Sequence, residues 1–159
     1  MRFPEFAART LQGEEKELPA DLPAERTLVL LPFRQWQQRQ VDGWIARAEQ
    51  AGWVADLAEA TSGAARPSRA TIEVPCISRR WGTVRRFIDG GMAASIRTPS
   101  ILGRTWTAYT DVGRVQRALG LSDSDQTWVG VVQPDGVIRV SVLGDVTDRA
   151  WAAVATELH

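Results

Sequence analysis

The sequence predicts an α/β fold with a mixed central sheet, helices on both faces and the order β-α-β-α-β-α-β-β-α. Three observations carry this. One strand, Thr27 to Phe33, is apolar throughout, as a strand covered on both faces must be. Strand-like and helix-like periodicities alternate after it. A tight hairpin then precedes the last helix, which makes a purely parallel sheet impossible.

The elements follow in order. Residues 1–26 are polar and Glu-rich, and form an N-terminal extension or a short hairpin, Arg9–Leu11 and Glu17–Leu18 turning at Gly13. After the apolar strand a polar run, Arg34 to Gln40, leads into a helix. Val41, Trp44, Ile45 and Ala48 share its inner face, and Gly52 stops it. Residues 60–69 are small, polar and punctuated by Gly63 and Pro67, so a surface loop is expected there. Thr71–Val74 reads as a short strand ended by Pro75. Val84, Phe87, Ile88 and Gly91 give a second helix, Trp81 to Ala94. Thr105–Tyr109 alternates as a strand does. Asp111 is placed to cap a third helix carrying Val112, Val115 and Leu119, with Gly120 as its stop. Thr127–Val132 and Val137–Val142 are the arms of the hairpin. Pro134-Asp135-Gly136 turns it, because Pro presets φ and Gly accepts a positive one. Thr147 caps a last helix whose apolar face is Trp151, Val154 and Leu158. All 159 residues are expected to form a single domain.

Composition restricts the chemistry. Nineteen basic and nineteen acidic residues cancel, so no global charge draws the chain to nucleic acid or to an anionic membrane. No apolar run approaches the ~20 residues that span a bilayer. There is one cysteine, Cys76, and one histidine, His159. A Cys/His zinc site needs three or four ligands, and an intrachain disulfide needs two thiols, so neither is expected. No cofactor or metal is expected either. The first residues lack the charged-then-apolar order of a signal peptide, and a cytoplasmic location is the expectation.

The ordered series of segments resembles the thioredoxin fold in its peroxiredoxin-like form. Leu11-Gln12-Gly13-Glu14-Glu15, Leu18 to Leu22 and Thr27-Leu28-Val29 are similar to that family's lead-in. Asp111 to Leu121 resembles its short third helix, and Val131 to Ile138 its hairpin. Thioredoxins place a Cys-x-x-Cys after the first strand, where the helix N-terminus lowers the thiol pKa. Peroxiredoxins place Pro, Thr and the attacking Cys in the same turn. Here Pro32 matches, but Trp36 falls where the Thr would stand and Arg39 where the Cys would stand. The cis-proline expected before the hairpin is replaced by Asp125-Gln126-Thr127. A second set of residues resembles the thioredoxin-like mitochondrial ATP synthase assembly factors, which also lack the cysteine pair. These are Gln40-Val41-Asp42-Gly43-Trp44, Val74-Pro75, the Arg-rich second helix, and Val137-Ile138-Arg139 leading to Gly144 and Thr147. That resemblance implies a binding or assembly role without catalysis, with a protein partner.

Each candidate site has a plainer reading beside it. Cys76, with Arg79 and Arg80 nearby in sequence, has the makings of a one-cysteine peroxidase or redox sensor. It also reads as an ordinary cysteine at a strand end. Arg34, Gln38 and Arg39 sit at a helix start, where an anion or nucleotide could be held. They equally read as a solvated helix entry. The stretch Arg79, Arg80, Arg85, Arg86, Arg97 and Arg104 reads first as the wet face of a helix, second as a surface for a protein or an anion, and last as a nucleic-acid patch. The balance is against an enzyme and for a non-catalytic module that binds a protein.

Overall fold

The computed structural model describes residues 2–53, 68–78 and 104–158. The helix expected over Trp81–Ala94, most of the 60–69 loop, and Arg79, Arg80, Arg85, Arg86 and Arg97 lie outside the described residues. The fold is thioredoxin-like, with mixed sheets and helices on both faces.

The extension forms the hairpin β1 (Phe6–Thr10) and β2 (Glu15–Leu18). Then come β3 (Arg26–Leu31), a 3-10 turn at Gln35–Gln37 and α1 (Gln38–Gln50). Next are β4 (Arg69–Glu73), β5 (Cys76–Ser78), β6 (Trp106–Thr110) and α2 (Val112–Ala118). The chain finishes with β7 (Trp128–Val132), β8 (Ile138–Leu143) and α3 (Asp148–Leu158).

The strands form two four-stranded sheets, β2-β1-β6-β5 and β4-β3-β7-β8. Among the described residues, one stretch contributes a strand to each sheet. Residues 69–73 run parallel to β3, and 76–78 run parallel to β6. Pro75 has no N–H to offer a ladder, so the strand breaks there and restarts at Cys76. The Val74 N–H still reaches the Leu30 carbonyl at 2.7 Å, and the Cys76 N–H reaches that of Pro32 at 3.0 Å. On the other side Ala108 donates to Pro75 at 2.9 Å, and Glu73 bridges Thr105. The sequence reading ended this strand at Pro75 and did not foresee β5. Cys76 therefore opens a strand rather than closing one.

The apolar run of β3 divides as a two-faced strand should. Val29 and Leu31 enter one core cluster, with Ile72, Val74, Trp128, the N-terminal Phe3 and Phe6, and Val115 of α2. Leu28 and Leu30 enter the other, with Val41, Trp44, Ile45 and Ala48 of α1 and Val154 and Leu158 of α3. Each such fully buried aliphatic side chain stabilises the fold by about 1.5–3 kcal/mol before packing effects.

The expected caps are present. Asp111 accepts the Arg114 N–H at 3.1 Å, and the Thr147 hydroxyl accepts the Ala150 N–H at 3.0 Å. Gly136 takes φ +92 in the hairpin turn, where its N–H donates to the Gln133 carbonyl. The hairpin carries a bulge at Val131/Val132, which sets Arg139 toward Glu157 of α3 at 3.1 Å.

Candidate functional site

The turn from Pro32 to Gln40 stands at the C-terminal end of β3, where the sequence placed the redox position of related folds. Its residues divide into two sets. Gln37 and Gln40 point inward and are buried; Arg34, Gln35, Trp36, Gln38 and Arg39 point outward and are exposed.

The inward pair holds the turn to the rest of the molecule. The Gln37 carbonyl oxygen accepts the Phe33 N–H at 2.8 Å, and its amide N–H donates to the Ser124 carbonyl. The Gln40 carbonyl oxygen accepts both the N–H and the hydroxyl of Thr127, at 3.1 and 2.9 Å. The loop bearing Asp125-Gln126-Thr127 is thus fastened to the turn by side-chain amides. One helical turn on, the Trp44 indole N–H donates to the Gly144 carbonyl at 2.9 Å, fixing the loop after β8 to the same helix. These are buried polar contacts with each partner supplied, so they orient the turn firmly. Sequence reasoning singled out Gln38 and missed Gln37 and Gln40. Their helical phase, shared with Val41 and Trp44, is the signal that marks Gln37 and Gln40 as inward.

Among the outward residues, Arg34, Trp36 and Arg39 carry the charge and the aromatic ring. Trp36 is 54% exposed, in contrast to Trp44, Trp53, Trp106 and Trp128, which are buried. Arg34 is extended, with φ −136 and ψ 148, at the entry to the 3-10 turn, and Arg39 lies in the first turn of α1. Neither Arg34 nor Gln37 caps the helix start with its side chain, and the first turn contains no acid.

Gln38 turns toward β4. Its amide donates to Asp42 at 2.9 Å and approaches Glu73 at 3.5 Å. Glu73 is a buried carboxylate, and the Thr105 hydroxyl donates to it at 2.6 Å. Burial pushes the Glu73 pKa up, against the pull of the Thr105 hydrogen bond and the Arg104 charge. Arg104 itself pairs with Glu49 at 3.2 Å.

Cys76 lies beneath the turn, its N–H on Pro32, but it is 3% exposed and packed in the first core cluster. Burial pushes its thiol pKa up to about 12, the direction opposite to an activated cysteine. Arg34, Gln38 and Arg39 are thus brought to one turn with Trp36, and Cys76, the first residue of β5, is set apart from them in the core. Arg79 and Arg80 lie outside the described residues. Among the described residues no cluster of three His, Cys, Asp or Glu side chains is arranged for a metal ion. Two clefts of about 410 and about 460 Å3 share Glu25 and Arg26 at the start of β3, the end opposite the turn. No helix among the described residues is long and apolar enough to cross a membrane.

No protein-family model matches the chain, and no curated protein matches it. Solved structures do. A thiol-disulfide oxidoreductase from Bacteroides fragilis has TM-score 0.55 at 11% identity over 100% of both chains. A putative thiol:disulfide interchange protein DsbE from Chlorobium tepidum has TM-score 0.56 at 12% identity, covering 99% of this chain and 96% of its own. BsSco, a member of the Sco family of cytochrome c oxidase assembly proteins, has TM-score 0.57 at 10% identity, covering 98% and 90%. At these identities the likeness is one of fold, and the chain is similar to thioredoxin-like thiol-disulfide oxidoreductases in architecture while its equivalent turn holds no cysteine.

Proposed function

We propose that this chain is a non-catalytic thioredoxin-fold module that binds a protein partner. The observation that carries the reading is the placement of the lone thiol. A thioredoxin-type site needs an exposed, acidified thiol at the helix start. In this chain the helix start holds Gln37, Arg39 and Gln40, and Cys76 is buried with a raised pKa. The earlier resemblances to the peroxiredoxin-like branch and to the ATP synthase assembly factors support the same reading at two levels. The first accounts for the element order, and the second for a thioredoxin fold without its cysteines. BsSco offers a structural neighbour described as an assembly protein. A cytosolic location fits a chain with one cysteine, although another neighbour is the exposed lipoprotein thioredoxin Etrx1 of Streptococcus pneumoniae.

The test is exposure of the native protein to micromolar hydrogen peroxide, with mass spectrometry of Cys76. The reading expects an intact thiol over minutes. Rapid stoichiometric sulfenate would overturn it in favour of a one-cysteine peroxidase or redox sensor.

A further inference from the structure

We propose that Arg34, Trp36 and Arg39 form a docking face for a short acidic segment of a partner protein, laid across the turn with an apolar side chain on the Trp36 ring. This rests on the reading of the chain as a binding module and names the partner's chemistry. Trp36 and Leu143 are the exposed large hydrophobic side chains among the described residues. A tryptophan half in water forgoes the burial that its siblings achieve, and Trp and Arg are the side chains most enriched where binding energy concentrates.

The charge argument is independent of Trp36. Seven of the twelve described arginines are engaged within the fold, Arg2 and Arg26 by donating to the Asp135 and Glu157 carbonyls. Arg9 pairs with Glu15, Arg47 with Asp148, Arg104 with Glu49 and Arg139 with Glu157, while Arg114 donates to the Glu5 carbonyl. Among the described residues no ion pair or hydrogen bond holds the guanidinium of Arg34 or Arg39. Arg39 stands in the first turn of α1, which holds no acidic side chain, an arrangement that opposes the dipole, and Arg34 precedes the 3-10 turn that leads into that helix. A carboxylate on the partner relieves that opposition and can accept a bidentate contact from each guanidinium. The nearest acid on α1, Asp42, lies beyond its first turn and accepts the Gln38 amide at 2.9 Å. Gln37 and Gln40 hold the face in place from beneath, so little ordering is needed on binding.

The test is fluorescence anisotropy of the full chain against three labelled probes. The first is a short acidic peptide with one central phenylalanine. The second is the same peptide with basic residues in place of the acidic ones. The third is a single-stranded oligonucleotide. The acidic peptide is expected to bind in the micromolar range and to weaken with added salt. The double variant Arg34→Gln, Arg39→Gln and the single variant Trp36→Ala should each weaken it by about tenfold. With the isotope-labelled chain, amide shifts should gather at residues 34–40. No binding, equal binding of acidic and basic peptides, preference for the oligonucleotide, or unchanged affinity in the variants would each overturn the proposal. A reactive Cys76 with intact peptide binding would sink the non-catalytic reading alone, and an inert Cys76 without peptide binding would sink this inference alone.

Discussion

Gln40 and Thr127 share three polar groups in one contact: a single carbonyl oxygen on α1 receives both the main-chain and the side-chain donor of the residue that leads into β7. The contact lies where the sequence lacks the proline of related folds. It replaces a constraint of the backbone alone with one imposed by the Gln40 side chain.

Gln40→Ala leaves two buried donors on Thr127 without a partner. Unpaired buried donors are costly, and the expected loss is about 2 kcal/mol. Urea denaturation measures it. A loss near zero would show that water replaces the amide.

Glu73 gives stability a pH dependence. Its pKa in the fold is raised above the ordinary value of 4.5, chiefly by burial. The folded chain thus holds this proton more tightly than the unfolded one. Its contribution is present below the ordinary value and is lost as pH rises through the raised value. Glu73→Gln keeps an acceptor for Thr105 and removes the titration. The variant should gain on wild type as pH rises from acid to neutral, seen in urea midpoints across that range. A constant difference would refute the assignment.

Gly130 is overlaid by its neighbour on the same strand. A Cβ built there would stand 2.2 Å from the Trp128 ring, which is buried beside Phe3. Gly130→Ala must displace that indole, and overpacking of this kind costs about 1–3 kcal/mol. Near-ultraviolet circular dichroism should change as well, because Trp128 has to leave its place.

Thr27 shows the reverse. Its hydroxyl is buried on β3 without a hydrogen-bond partner among the described residues. Thr27→Val is close to isosteric and removes an unsatisfied group, so a gain of about 1 kcal/mol is expected. Thermal unfolding checks the sign.

Much of the fold was legible because its signals are local. Asp111 and Thr147 announce caps through their own hydroxyl or carboxylate, and Gly136 announces a turn through its φ. Leu28 to Leu31 announce a two-faced strand by having no polar side. The junction at Val74-Pro75 was not legible. Pro75 ends a ladder locally, but whether the strand resumes depends on Pro32 and Ala108, which are distant in sequence. The site divided in the same way. Its place followed from the strand before it, and Arg34, Gln38 and Arg39 from their position in the turn. The roles of Gln37 and Gln40 depend on Ser124 and Thr127, nearly ninety residues away.

The burial of Cys76 has a practical consequence. A lone thiol sealed at the seam between two sheets is a built-in clock. It meets a labelling reagent only when β5 parts from its neighbours, so its labelling rate under native conditions reports how often that seam opens. Followed against denaturant, the rate separates a local parting of the strand from unfolding of the whole chain, with no residue substituted to carry the label.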